Sequence, residues 1–140
     1  MDRFFLGPNR TALVPGEMIR EVYFPEPVAK AKMVYHKMGL RNAMAISVVS
    51  LAVVFEMKEG ICRQARIGLG AVAPRPIRAY ETEKIMTGQS LSEEDLGVCG
   101  RQVENEVSPI EDIRASAEYR RMMASVLLQR IVREALEKGK

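Results

Sequence analysis

The chain contains no tryptophan, one histidine (His36) and two cysteines (Cys62 and Cys99). These shortages exclude several chemistries. The cysteines stand far apart with no C-x-x-C pair and no second histidine, so neither an ordinary structural zinc site nor an iron–sulfur ligand set is available. Two free thiols suit a reducing compartment and point to a cytoplasmic protein. Aromatics are only 6% of the residues and none is interleaved with a basic run, so nucleic-acid binding is not expected. The longest apolar run, residues 43–55, is interrupted by Ser47 and Ser50 and is too short to span a bilayer as a helix. The first residues include Arg3 but have no sustained apolar core and no small-residue cleavage site, so no secretory leader is expected. The G-x-S-x-G, H-E-x-x-H and P-loop patterns are all missing.

What is present is globular in composition. The 140 residues are 47% hydrophobic and 28% charged, with a net charge of +3 spread along the chain. That length suits one domain, residues 1–140. Turn signals at Gly7-Pro8-Asn9 and Pro15-Gly16 make the first sixteen residues irregular. Glu17–Phe24 reads as a short helical turn followed by a strand, closed by Pro25 and Pro27. Ala31–Met38 alternates, with Met33, Tyr35 and Lys37 on one face. Ala45–Met57, rich in β-branched residues, is apolar on both faces, which implies a central strand covered on both sides, or one with one face against helices and the other against a partner. Lys58-Glu59-Gly60 makes a hairpin connection. Ile61–Val72 is a further strand, and Ala73-Pro74-Arg75-Pro76 ends the sheet. Gly68 and Gly70 in that strand mark either close approach of a backbone or ligand, or a bulge or tight packing.

Three helices are expected after the sheet: Ala79–Thr87 closed by Gly88, a second begun by Ser92 with acids in its first turn, and a long third. Asp112 is the expected N-cap of the third. Its apolar stripe is Met122, Met123, Val126, Leu127, Ile131, Ala135 and Leu136, with Glu118, Arg120 and Arg121 largely on the opposite side. The segment Ala45–Phe55 is the expected cover for that stripe. Strands followed by helices make an α+β fold: a small antiparallel sheet of three to four strands, over about residues 17–72, and a three-helix bundle on one face, over about 79–138. The uncovered sheet face should drive self-association.

Candidate chemistry is sparse. His36 has the side chain of a general base, although a lone histidine in a strand is more often structural. Lys37, on a strand beside a glycine-containing neighbour, could meet an anionic ligand or be an exposed edge lysine.

Two motifs carry a resemblance: Asp112-Ile-Arg-Ala-Ser-Ala-Glu-Tyr-Arg-Arg121, and Leu69-Gly-Ala-Val-Ala-Pro-Arg-Pro-Ile-Arg-Ala79. With Phe5-Leu-Gly-Pro8 and Thr11-Ala-Leu-Val-Pro-Gly-Glu17 upstream, they resemble the C-terminal domain of the flavoprotein subunit of the molybdenum hydroxylases. That family includes the medium chain of carbon monoxide dehydrogenase and the FAD part of xanthine dehydrogenase. The resemblance runs over nearly the whole chain. It implies a domain that covers one side of the isoalloxazine of FAD, binds no metal itself, and docks to an N-terminal FAD-binding half, an iron–sulfur subunit and a molybdenum subunit. In that scheme electrons pass from molybdenum through two [2Fe–2S] clusters to FAD. The family places a lysine and a following arginine, here Lys37 and Arg41, beside the flavin ring, and an aliphatic residue after the Pro-Gly-Glu turn, here Ile19, against it. Ile19 could equally be ordinary core. The chain departs from the family at Ala45, where an aspartate is usual, and contains none of the glycine-rich loops that hold the FAD pyrophosphate. A non-catalytic assembly module is the alternative expectation; a chain catalytic by itself is not expected.

Overall fold

The structure, a computed structural model, describes residues 3–41 and 43–137. A short hairpin comes first, β1 (Phe5–Gly7) paired antiparallel with β2 (Arg10–Thr11). Asn9, at its turn, adopts a positive φ of 55°, which asparagine tolerates better than most residues. The main sheet has four antiparallel strands in sequential order: β3 (Lys32–Gly39), β4 (Ser47–Lys58), β5 (Ile61–Gly70) and β6 (Ile77–Arg78). Three helices follow: α1 (Tyr80–Met86), α2 (Glu93–Glu106) and α3 (Ala117–Glu137). The fold is the expected α+β arrangement, with the helices on one face of the sheet.

β4 is the central strand of the core. Val49, Leu51, Val53 and Phe55 alternate toward the helices and are all buried. Ala65, Ile67 and Leu69 of β5 join them, as do Leu96, Val103, Leu128 and Ile131 from the helices. Each of the valine, leucine, isoleucine and phenylalanine side chains contributes on the order of 1.5–3 kcal/mol when fully buried. Glu59 (φ 55°) and Gly60 (φ 78°) close the β4–β5 hairpin with two consecutive positive φ angles, the geometry that matches the twist of paired strands.

Four expectations are corrected. Glu17–Phe24 forms no strand; it is irregular and exposed. The sheet does not end at Pro76, because Ile77 and Arg78 return to pair with Leu69 and Gly68. Asp112 does not cap α3. Ser116 does so, its Oγ accepting the Tyr119 N–H at 3.1 Å, while the Asp112 Oδ1 accepts the Arg114 N–H at 2.8 Å to fold the preceding turn. Finally, Arg120 is not on the solvent side: it is 3% exposed, whereas Met122 and Val126 of the expected stripe are 46% and 45% exposed. Ala124, Leu127, Leu128, Ile131, Val132 and Ala135 form the buried face instead. β4 does lie beneath that face, as expected, and β3 with it.

Arg120 is buried with three acceptors at its two Nη groups, while its Nε is buried without a hydrogen-bond partner among the described residues. Its Nη1 donates to the carbonyl oxygens of Val48 and Ala71, both at 3.0 Å, and its Nη2 donates to Asp112 Oδ1 at 2.6 Å. One guanidinium thus joins the start of β4, the turn after β5 and the loop before α3. The Asp112 carboxyl is lowered to a pKa of about 2, chiefly by the Arg114 backbone N–H and then by the Arg120 and Arg114 guanidinium groups.

Polar caps are supplied across elements as well. Ser92 and Asp95 form the reciprocal capping box of α2. α1 has no side-chain cap of its own, since Ala79 precedes it. The Glu106 carboxylate, at the end of α2, accepts the N–H groups of Glu81 (3.0 Å) and Thr82 (2.8 Å) in its place. At the other end of the fold, Lys32 Nζ donates to the Ala135 and Leu136 carbonyl oxygens at 2.7 and 3.2 Å, satisfying acceptors that the C-terminus of α3 would leave orphaned.

Candidate functional site

Among the described residues no layer covers the centre of the sheet face away from the helices, while Phe24–Val28 lie beside Met33, Val54 and Arg66 at one end of it. Strand register fixes its composition. One row across the strands reads Tyr35, Ala52, Gly68, Arg78, and the next reads Lys37, Ser50, Gly70. Small residues occupy the middle of both rows, so the face sinks into a shallow trough of about 410 Å³ with Ser50, Ala52, Gly68 and Gly70 on its floor and Tyr35 and Arg78 at its sides.

The two glycines have different reasons. A Cβ on Gly70 would lie 2.6 Å from Ser50 Oγ, so tight packing requires glycine there. A Cβ on Gly68 would meet nothing within 4 Å; it would simply fill the trough. The Gly68 backbone therefore faces free space, as a floor approached by a flat ligand would.

Arg78 is held firmly at the trough wall. Its Nε and Nη2 donate to Glu83 at 2.9 and 2.5 Å, and its guanidinium lies over the Tyr80 ring at 4.6 Å from the centroid. Glu83 is itself buried and also accepts the Ile67 N–H at 2.8 Å.

Lys37 projects from β3 on the same open face, directly opposite Ser50 in register, and is exposed. Arg41 lies just beyond the end of β3, its Nη2 donating to the Met44 carbonyl at 2.7 Å. Ile19 lies in the irregular segment, 53% exposed, and so is not core. Lys37 and Arg41 thus share one end of one strand. No hydrogen bond or ion pair among the described residues links either of them to Ile19. Gly39 and Ala45 approach so closely that a Cβ on Gly39 would collide with the Ala45 methyl.

The sequence showed Lys37 and the glycines but not the trough. Tyr35, Ser50, Ala52 and Arg78 were unmarked because their juxtaposition is a property of register. His36 pairs with Leu51 on the helix side, half-buried and away from the trough. Both thiols are buried, and burial raises their pKa values, that of Cys99 to about 11, which makes them poor nucleophiles. Among the described residues no cluster of three or more His, Cys, Asp or Glu could hold a metal ion, and no helix is long and apolar enough to cross a membrane.

Residues 34–135 match the family described as the CO dehydrogenase flavoprotein C-terminal domain. The chain belongs to that family. Among curated proteins it is 34% identical over 137 residues to the carbon monoxide dehydrogenase medium chain of Afipia carboxidovorans, covering 98% of this chain and 47% of the relative. It is 28% identical over 134 residues to a putative xanthine dehydrogenase FAD-binding subunit of Escherichia coli, covering 95% and 46%. Among solved structures, a Cu,Mo-CO dehydrogenase matches with a TM-score of 0.90 at 34% identity, over 95% of this chain and 46% of that one. Quinoline 2-oxidoreductase from Pseudomonas putida 86 matches with a TM-score of 0.87 at 26% identity, over 97% and 47%. The chain therefore spans about half the length of the curated relatives it matches.

Proposed function

We propose that this chain serves as the C-terminal domain of the FAD subunit of a molybdenum hydroxylase-type oxidoreductase, a single cytoplasmic domain that covers the flavin ring and is not catalytic alone. The observation that carries this reading is the open, small-residue trough with Lys37 at the end of its neighbouring row. A flat ring can lie on such a floor. The pyrophosphate of FAD needs several backbone N–H donors or a helix N-terminus, and that cradle is assigned to the other half of the subunit. When bound, the flavin supplies the two-electron chemistry that links molybdenum and [2Fe–2S] centres on partner subunits to an acceptor.

The roles of this chain's own residues are limited and specific. Lys37 places a positive charge beside the ring, which favours its negatively charged reduced form. Ile19 covers the ring with an aliphatic side chain and excludes water. Arg41 braces the loop after β3 through Met44 and so supports the lysine. In the assembled oxidoreductase, Lys37→Ala is expected to lower the flavin reduction potential or weaken flavin binding at least tenfold, measured by redox titration and flavin fluorescence. Unchanged values for both would remove Lys37 from the site.

A second reading has its own observation. Tyr119, Met122 and Val126 form an exposed apolar ridge on α3, on a different side from the trough. A pure assembly module that touches no flavin would use such a ridge. The Lys37→Ala experiment separates the two, because an assembly module predicts no change in the flavin. Either reading leaves apolar surface uncovered in the free chain, so self-association is expected of it.

A further inference from the structure

The pairing of β4 with β5 stops before β4 does. The last pair of that ladder is Ser50 with Gly70, and the stretch from Ser47 to Val49 is paired only with β3 among the described residues. β5 leaves the sheet at once. Ala71, the next residue, takes a positive φ of 63°, a conformation that a residue with a Cβ rarely adopts. The two strands therefore part like a fork, and they part at the row that carries Lys37 opposite Ser50 and Gly70.

Backbone carbonyl groups stranded inside such a fork need donors. Arg120 Nη1 serves two of them, Val48 on one strand and Ala71 on the other, each at 3.0 Å. The Ser108 N–H serves the next carbonyl, that of Val72, at 2.9 Å. A single nitrogen that reaches both strands fixes how far apart they stand. That nitrogen is fixed in turn. Asp112 Oδ1 holds Nη2 of the same guanidinium at 2.6 Å, and the Asp112 carboxylate is tied to the Arg114 N–H at 2.8 Å and to Arg114 Nη1 at 2.7 Å. The row itself has no slack. A Cβ on Gly70 would stand 2.6 Å from Ser50 Oγ, so a shift of Ala71 presses Gly70 against Ser50, and Ser50 is the register partner of Lys37.

We propose that Arg120 is a positioning residue for the flavin site. From the helix side of the sheet it sets the width of the fork between β4 and β5, and through Ser50 and Gly70 it sets where the Lys37 ammonium stands on the open side. This rests on the flavoprotein reading above and deepens it, by adding a group that acts on Lys37 and never touches the ligand.

The test compares variants of the assembled oxidoreductase by redox titration of the flavin. Arg120→Lys should shift the balance of oxidised and reduced flavin at least about fivefold, in the direction of Lys37→Ala. In a Lys37→Ala background the same change should add less than about twofold, because its effect passes through Lys37. Leu96→Ala truncates the core beside the far end of α3, where Glu93 pairs with Arg133. It should lower the thermal midpoint at least as far and leave the flavin balance unmoved. Arg120→Lys should also speed amide exchange over residues 47–51 and 69–71 by about tenfold or more. Asp112→Asn loosens the guanidinium without removing it; a smaller shift of the same sign is expected, and it keeps the test open should Arg120→Lys fail to assemble. A wild-type flavin balance in both the Arg120 and the Asp112 variants overturns the proposal. So does an equal shift in Leu96→Ala, or a shift undiminished by Lys37→Ala. The flavin reading fails differently: a Lys37→Ala enzyme with unchanged flavin sinks that reading and the route through Lys37 with it, whereas a Lys37→Ala shift with none from Arg120→Lys sinks the positioning role alone.

Discussion

Two stretches of this chain have the composition of strands and meet opposite fates. Ser47–Lys58 is paired on both edges and its alternate residues are buried. Glu17–Phe24 has the same aliphatic and aromatic character and is bare. Local propensity is therefore not what separates them. β4 is bounded by a two-residue hairpin to β5, so its partner is supplied a few residues away and the pairing closes a short loop. Glu17–Phe24 is followed by two prolines and an irregular connection, and it does not pair with β3, although the outer edge of β3 has no strand beside it among the described residues. Strand formation needs a connection that brings the segment onto an edge in register, and the amino acids alone record only readiness for one.

The same contrast runs through the two faces of the sheet, and substitutions can break or sharpen it. The largest expected effect is on the helix-covered face: Phe55→Ala should cost about 3–5 kcal/mol of unfolding free energy in urea titrations. Breaking the bridge at the covered end comes close behind. Arg120→Met leaves Asp112 without its buried partner and the Val48 and Ala71 carbonyls without a donor, at about 3–5 kcal/mol; Arg120→Lys should rescue only part, since a single ammonium cannot span the three acceptors. Acid sharpens that result. The Asp112 pKa is lower in the folded chain than unfolded, so its contribution is full above about pH 4 and disappears as pH falls toward about 2. Thermal midpoints of the wild type should drop across that window, and Asp112→Asn should flatten this part of the drop. The smallest effect belongs to the open face: Met33→Ser should change the stability of the free chain by less than about 0.5 kcal/mol, yet reduce its self-association in sedimentation. A large loss of stability there would mean that the open face is covered by the chain itself.

What was legible in the sequence follows from how local each cause is. The β4–β5 hairpin, the Ser92 capping box and the alternation of Met33, Tyr35 and Lys37 are all written within a few residues, and each was readable. β6 was not, because two residues have no periodicity and exist as a strand only through Leu69 and Gly68. Arg120 was misplaced because helical periodicity assigns charges to solvent, and only the fold shows that three acceptors converge on it. The candidate site was half legible for the same reason. Lys37 and the glycines were marked by their types, while Tyr35 and Arg78 became neighbours of the trough through register.

Lys32 carries one more consequence, in the order of events during synthesis. Its ammonium closes the C-terminus of α3, with its hydrogen-bond partner Ala135 lying 103 residues further along the chain. On the ribosome, β3 is complete and exposed long before the residues that it must hold have been made. The β4–β5 hairpin can form early, but the β3 end of the sheet waits until α3 has been made. A nascent chain of this topology is vulnerable at its first main-sheet strand over that interval, and the clasp that ends that vulnerability spans 103 residues.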